Sequence, residues 1–138
     1  MGKETELKQL RERMKDTIRR SRRLQVWFWD GERQYVGEAT ALSPGALTAF
    51  LKMSRQGDVT LLPTASMMDT LNKTLVGRLV EFKVSNPQIE ASVKGKMIAA
   101  RRDGENVRRV MIDVLLERSS EENEKNLARL RELFQPPA

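Results

Sequence analysis

Several short apolar segments with two-residue alternation, each closed by tight-turn chemistry, dominate this chain and restrict it to antiparallel β-structure. Leu24, Val26 and Phe28 point one way, while Gln25, Trp27 and Trp29 point the other. Bulky residues in period 2 predict a strand over 24–29. Asp30-Gly31 follows, a pair that favours a hairpin because both residues tolerate left-handed backbone. The return strand is expected over 34–42, Ser43-Pro44-Gly45 turns it, and a third strand follows over 46–52. Gln56-Gly57-Asp58 marks another turn, with a short strand at 59–62 stopped by Pro63. A strand over 75–84 passes through Gly77, and Asn86-Pro87 turns the chain again. The last two strands, 89–100 and 107–116, flank Asp103-Gly104. Gly95 marks a bulge or a close approach inside the first of these.

Two helices bracket the strands. Leu7, Leu10, Met14 and Ile18 recur at spacings of three, four and four, one face of a helix over 4–18. That narrow stripe either packs the helix on the domain or forms a short seam for a homodimer. At the other end, Ser119-x-x-Glu122 fits a capping box. Leu127, Leu130 and Phe134 form the stripe of a helix stopped by Gln135-Pro136-Pro137. Trp27 and Trp29, on the face away from Leu24, Val26 and Phe28, either pack under this terminal helix or, if exposed, stack bases or meet a partner. Thr64–Leu71 reads as a short helix or a loop, with Met67 and Met68 as core filler. Six or seven antiparallel strands in such order close most economically into a small barrel. The fold class is therefore mainly β: a six-stranded antiparallel barrel flanked by an N-terminal and a C-terminal helix. The domain reading is a charged arm over 1–18, the barrel with its closing helix over 19–134, and a tail over 135–138.

The chain has 138 residues and neither cysteine nor histidine. Disulfides, thiolate metal sites and Ser-His-Asp catalysis are thereby excluded. No P-loop or dinucleotide fingerprint occurs, so an enzyme is not expected. Neither a metal nor a resident cofactor is expected. No apolar run approaches the length of a membrane span, and no signal peptide is evident, which predicts a cytoplasmic protein.

Charge is concentrated at the start. Residues 1–23 carry nine Lys/Arg against four Asp/Glu, which accounts for most of the net +6. Within this arm, Arg19-Arg20-Ser21-Arg22-Arg23 places four guanidinium groups in five residues, where the helix meets the first strand. Arginine forks match phosphate oxygens and stack on flat bases, so the run predicts an anionic ligand. A nucleotide, a nucleic acid and an acidic protein surface all meet that description.

Two segments together resemble the PilZ family. Arg19-Arg20-Ser21-Arg22-Arg23 is similar to the RxxxR motif that opens PilZ domains, with Arg19 and Arg23 as its ends. Ala41-Leu42-Ser43-Pro44-Gly45-Ala46 is similar to the family's (D/N)xSxxG turn. The resemblance covers about residues 19–134. It implies a six-stranded barrel that binds cyclic di-GMP, with Arg19, Arg20, Arg22, Arg23 and Ser43 as ligand-binding residues. It also implies bacterial signalling in motility or biofilm formation through a protein partner. The second motif departs from the pattern at two places: Ala41 stands for Asp/Asn, and Ala46 for the final Gly. These losses suggest an alternative, a degenerate PilZ-like adaptor that acts through protein contacts without the nucleotide. A third reading is a small barrel that binds RNA or single-stranded DNA through the basic arm.

Overall fold

The computed structural model describes residues 2–103 and 106–135. In chain order it contains α1 (Gly2–Arg22), β1 (Gln25–Trp29), β2 (Gln34–Ser43), β3 (Ala46–Gln56) and β4 (Val59–Leu61). There follow α2 (Ala65–Thr74), β5 (Leu79–Ser85), β6 (Glu90–Asp103), β7 (Asn106–Leu116) and α3 (Glu121–Leu133). The strands hydrogen-bond in the order β2-β1-β5-β6-β7-β3-β4, and β2 also pairs with β3. That second pairing closes six strands into a barrel and leaves β4 outside, on the far half of β3. Every pairing is antiparallel. Closure removes the exposed edges that an open sheet of this size would present.

The two-residue alternation places the core. Leu24, Val26 and Phe28 of the first segment are buried, as are Val80, Phe82 and Val84 of β5 and Val110, Ile112 and Val114 of β7. Phe28 stacks on Tyr35 at 4.8 Å and tilts against Phe82 at 5.3 Å. Gly95 permits a close approach: a Cβ there would lie 2.5 Å from Val114 Cγ1 and 3.1 Å from the Leu115 carbonyl oxygen. The strand that follows α2 starts at Leu79 rather than Leu75. Leu75 caps α2, and Gly77 takes a left-handed turn with φ +88, donating its N–H to the Met97 carbonyl at 2.8 Å. Apolar Leu75 and Val76 read as strand in sequence because they bury themselves beneath the helix end. The hairpin residue Gly104 lies outside the described residues, although Asp103 and Asn106 pair across the turn.

The helices α2 and α3 dock at different parts of β6. Asn72 of α2 brackets Ala100, donating to its carbonyl at 3.0 Å and accepting from its N–H at 3.3 Å. Met67 and Leu71 are buried beside it. Asn123 and Asn126 of α3 bond the backbone at Ser92 and Glu90, and Leu127 and Leu130 enter the core. The cap of α3 sits one residue later than the sequence pattern suggests. Ser120 accepts from the Asn123 N–H, while the Ser119 N–H donates to Glu124 at 2.8 Å.

Unlike these two, α1 is a continuous 21-residue helix whose described apolar residues are not packed on the barrel. Leu7 and Leu10 remain 56% and 55% exposed, which corrects the expectation of a docked surface helix. The Met14 and Ile18 side chains lie outside the described residues. The helix passes position 18 unbroken and ends only at Arg22. Among the described residues, no helix is long and apolar enough to cross a membrane.

Candidate ligand-binding junction

The arginine run is split between two environments. Arg19, Arg20 and Arg22 belong to the last turn and a half of α1, whereas Arg23 starts the extended segment that becomes β1. The side chains of Arg19 and Arg20 lie outside the described residues. Arg22 is fixed by the end of the chain: its carbonyl accepts from the Gln135 N–H at 2.9 Å, and its Nη1 donates to Gln135 Oε1 at 3.1 Å. The helix end is thus clipped to the second residue past α3.

Arg23 is exposed at a groove of ≈ 410 Å³ that it lines with Gln25, Glu38, Lys52, Ser85, Asn86 and Pro87. These residues come from four separate places in the sequence. They meet because Gln25 pairs with both Glu38 and Ser85, and because the Leu24 carbonyl accepts from the Ala39 N–H at 2.9 Å. Lys52 Nζ lies 3.4 Å from the carboxylate of buried Glu38. The groove therefore holds two cations, one of them already matched by an acid.

Ser43 occupies the β2–β3 turn, exposed, with its hydroxyl 3.5 Å from the Ala46 carbonyl oxygen. An irregularity in the β2–β3 register between Ala39 and Ala41 shifts the alternation of β2. Ala39 is buried inward, yet Ala41 and Ser43 are exposed beyond it. Ala41 and Ser43 thereby join the outer barrel face on which Arg23 and Gln25 lie. Ser43 stands four residues past Ala39, roughly 13 Å further along β2. It is not among the residues that line the Arg23 groove. The turn itself needs no glycine freedom, since the positive-φ glycines of the described residues are Gly31, Gly57 and Gly77. Ala46 accordingly sits in ordinary strand geometry opposite Ser43.

A larger groove of ≈ 920 Å³ lies next to the first, sharing Ser85, Asn86 and Pro87 with it. Trp27 and Trp29 line it from the outer face of β1, opposite Glu81 and Lys83 of β5. Trp29 is 57% exposed. The tryptophans thus do not pack under the terminal helix, because α3 docks on β6 instead. Asn86 builds the wall of both grooves by accepting from the N–H groups of Gln88 and Ile89 at 2.8 and 2.7 Å.

Of the residues that sequence reasoning singled out, Arg23 lines the groove and Ser43 does not, while Lys52, Glu38, Ser85 and Pro87 were not singled out. No local pattern singles these out, since only strand pairing brings them beside Arg23. No family model and no curated protein matches the chain.

Proposed function

We propose that this chain is a PilZ-like regulatory domain that binds cyclic di-GMP at the arginine junction and passes the signal to a protein partner. One observation carries the reading. A closed six-stranded antiparallel barrel is preceded by an arginine run whose last member, Arg23, is exposed over a groove with Lys52 and Ser85. Two phosphodiester groups and two flat bases suit clustered guanidiniums, which supply forked donors and stacking planes. The clip between Arg22 and Gln135 gives binding a mechanical consequence. A ligand that draws Arg22 away from Gln135 loosens the end of α3 from the end of α1.

Calorimetric titration with cyclic di-GMP tests the reading. Binding is expected, and Arg23→Ala should weaken it by about tenfold or more, the effect of losing a charge-assisted contact. Absence of heat at high protein concentration overturns it. Tighter binding of an oligonucleotide, with a steep loss in salt, would redirect the reading to nucleic acid.

A second reading is favoured by a specific pair of observations. Ala41 presents no acceptor on the outward face, and Glu38 sets an acid inside the cationic groove. Both oppose a dianion and suit a domain that works through protein contacts alone. The exposed Trp29 supplies an aromatic anchor for such a partner. Ala41→Asp together with Ala46→Gly should create nucleotide binding if the native chain lacks it. A restored chain that binds while the native chain does not supports the adaptor, and tight binding by the native chain removes it.

A further inference from the structure

The exposed stripe of α1 assigns a use to that helix which is independent of what the arginine junction binds. We propose that residues 3–14 of α1 pair antiparallel with the same residues of a second copy of this chain.

The described part of the helix is apolar on one line only. Leu7 and Leu10 are more than half exposed, and the residues around them from 3 to 13 are exposed and mostly charged or polar. A two-residue-wide apolar line on a charged helix is the pattern of a helix–helix seam rather than of a helix packed on a domain. With Leu7 and Leu10 as core positions, Leu7 faces the second copy's Leu10, and its Leu7 faces Leu10 in return.

Charge decides the direction. The positions that flank the two leucines carry Glu4 and Glu6 toward the start of the helix and Arg11 and Arg13 beyond them, with Lys8 and Glu12 on the outer side and Lys3 at the end of the apolar line. In the antiparallel register Glu4 flanks the second copy's Arg11, and Glu6 flanks its Arg13. Each of these contacts occurs twice by symmetry, and opposed helix dipoles add to them. A parallel pair would instead lay two Arg19–Arg23 runs side by side, within reach of strong like-charge repulsion. The antiparallel register carries those runs to opposite ends. Position 21 of one copy then lies roughly 37 Å along the axis from position 21 of the other. That separation is several Debye lengths at physiological salt, so the repulsion vanishes. Both arginine junctions stay open for ligand.

Sedimentation equilibrium of the full chain tests the pairing. A reversible dimer is expected. Leu7→Glu with Leu10→Glu should weaken it by on the order of a hundredfold or more, because four leucines lose their cover. Both residues are exposed in the single chain, so at concentrations where both proteins are monomeric the thermal midpoint of the variant should match the native one, which separates lost pairing from lost folding. Glu4→Lys alone and Arg11→Glu alone should each weaken the dimer by roughly threefold to tenfold. Combining the two should restore it, since the swapped charges again face each other. A chain that sediments as a monomer up to about 1 mM overturns the proposal. So does a dimer indifferent to the leucine change. A double variant as weak as Arg11→Glu alone overturns the antiparallel arrangement, because in a parallel pair Glu6 would then face an acid.

Discussion

Replacing Tyr35 with Phe isolates one hydrogen bond that ties the first hairpin to the core. Tyr35 is fully buried, and its hydroxyl donates to Asp30 Oδ2 at 2.9 Å. The other carboxylate oxygen of Asp30 accepts from the N–H groups of Glu32 and Arg33 at 2.8 and 2.6 Å, which holds the turn between β1 and β2. The ring of Phe keeps the stacking on Phe28, so the substitution removes the hydroxyl alone. A hydrogen bond to an ionised group contributes about 1.5–3 kcal/mol. Asp30 is half-buried, so solvent screening lowers the expected loss to about 1.5 kcal/mol. For a domain of this size that is roughly 5 °C in the thermal midpoint. The loss should depend on pH in a defined sense. Burial pushes the Asp30 carboxyl up, but the bonds from Arg33, Glu32 and Tyr35 outweigh it and hold the group below the usual carboxylate range. A carboxyl with a depressed folded value stabilises above its unfolded pKa of about 3.9, and that contribution is lost as pH falls through the folded value. The gap between wild type and variant should therefore be widest near neutrality and close in acid. Burial first, and then the Asp30 bond, raise the Tyr35 hydroxyl well above the usual phenol value, so it stays a donor throughout. Urea denaturation at neutral pH and at about pH 3 measures both midpoints. Equal stability at neutral pH, or a gap that persists unchanged in acid, refutes the reasoning.

Gly37→Ala should cost about 2 kcal/mol or more in urea denaturation, because a Cβ there overlaps the backbone carbonyl of Phe50, which cannot rotate away. Ser120→Ala removes the acceptor for the Asn123 N–H and should lower stability by about 1 kcal/mol, with the loss of α3 followed by circular dichroism. Asp113→Asn breaks the pairing with Arg101, at 2.7 Å to Nε, and weakens that with Thr48 at 3.1 Å. The Arg101 guanidinium and the Thr48 hydroxyl hold the Asp113 carboxyl below its ordinary value, against the effect of burial. The pair is half open to water, so the cost should stay below about 1 kcal/mol and shrink further in high salt.

How far the sequence could be read follows from how local each signal is. Asp30-Gly31 predicts its hairpin because the turn is held by one side chain bonding residues two and three ahead. The inward faces of β1 and β7 follow from alternation alone. The segment from Leu75 to Arg78 misleads because apolar side chains look alike beneath a helix end and inside a strand. Leu7 and Leu10 mislead in the opposite way, since an apolar stripe announces burial without naming what covers it. In the candidate site, Arg23 is legible as part of a charge cluster, whereas Lys52 and Ser85 are ordinary residues of their own strands.

The order of strands and turns, the two flanking helices and the concentration of positive charge before β1 were all written in the sequence, because each depends on neighbours a few residues away. Only the tertiary structure decided that β2 closes on both β1 and β3, and that Arg23, Glu38, Lys52 and Pro87 share one groove. It also decided that Ser43 lies at the β2–β3 turn, outside that groove. Those outcomes rest on register between distant strands, which the packing of the whole barrel fixes and no short stretch of chain contains.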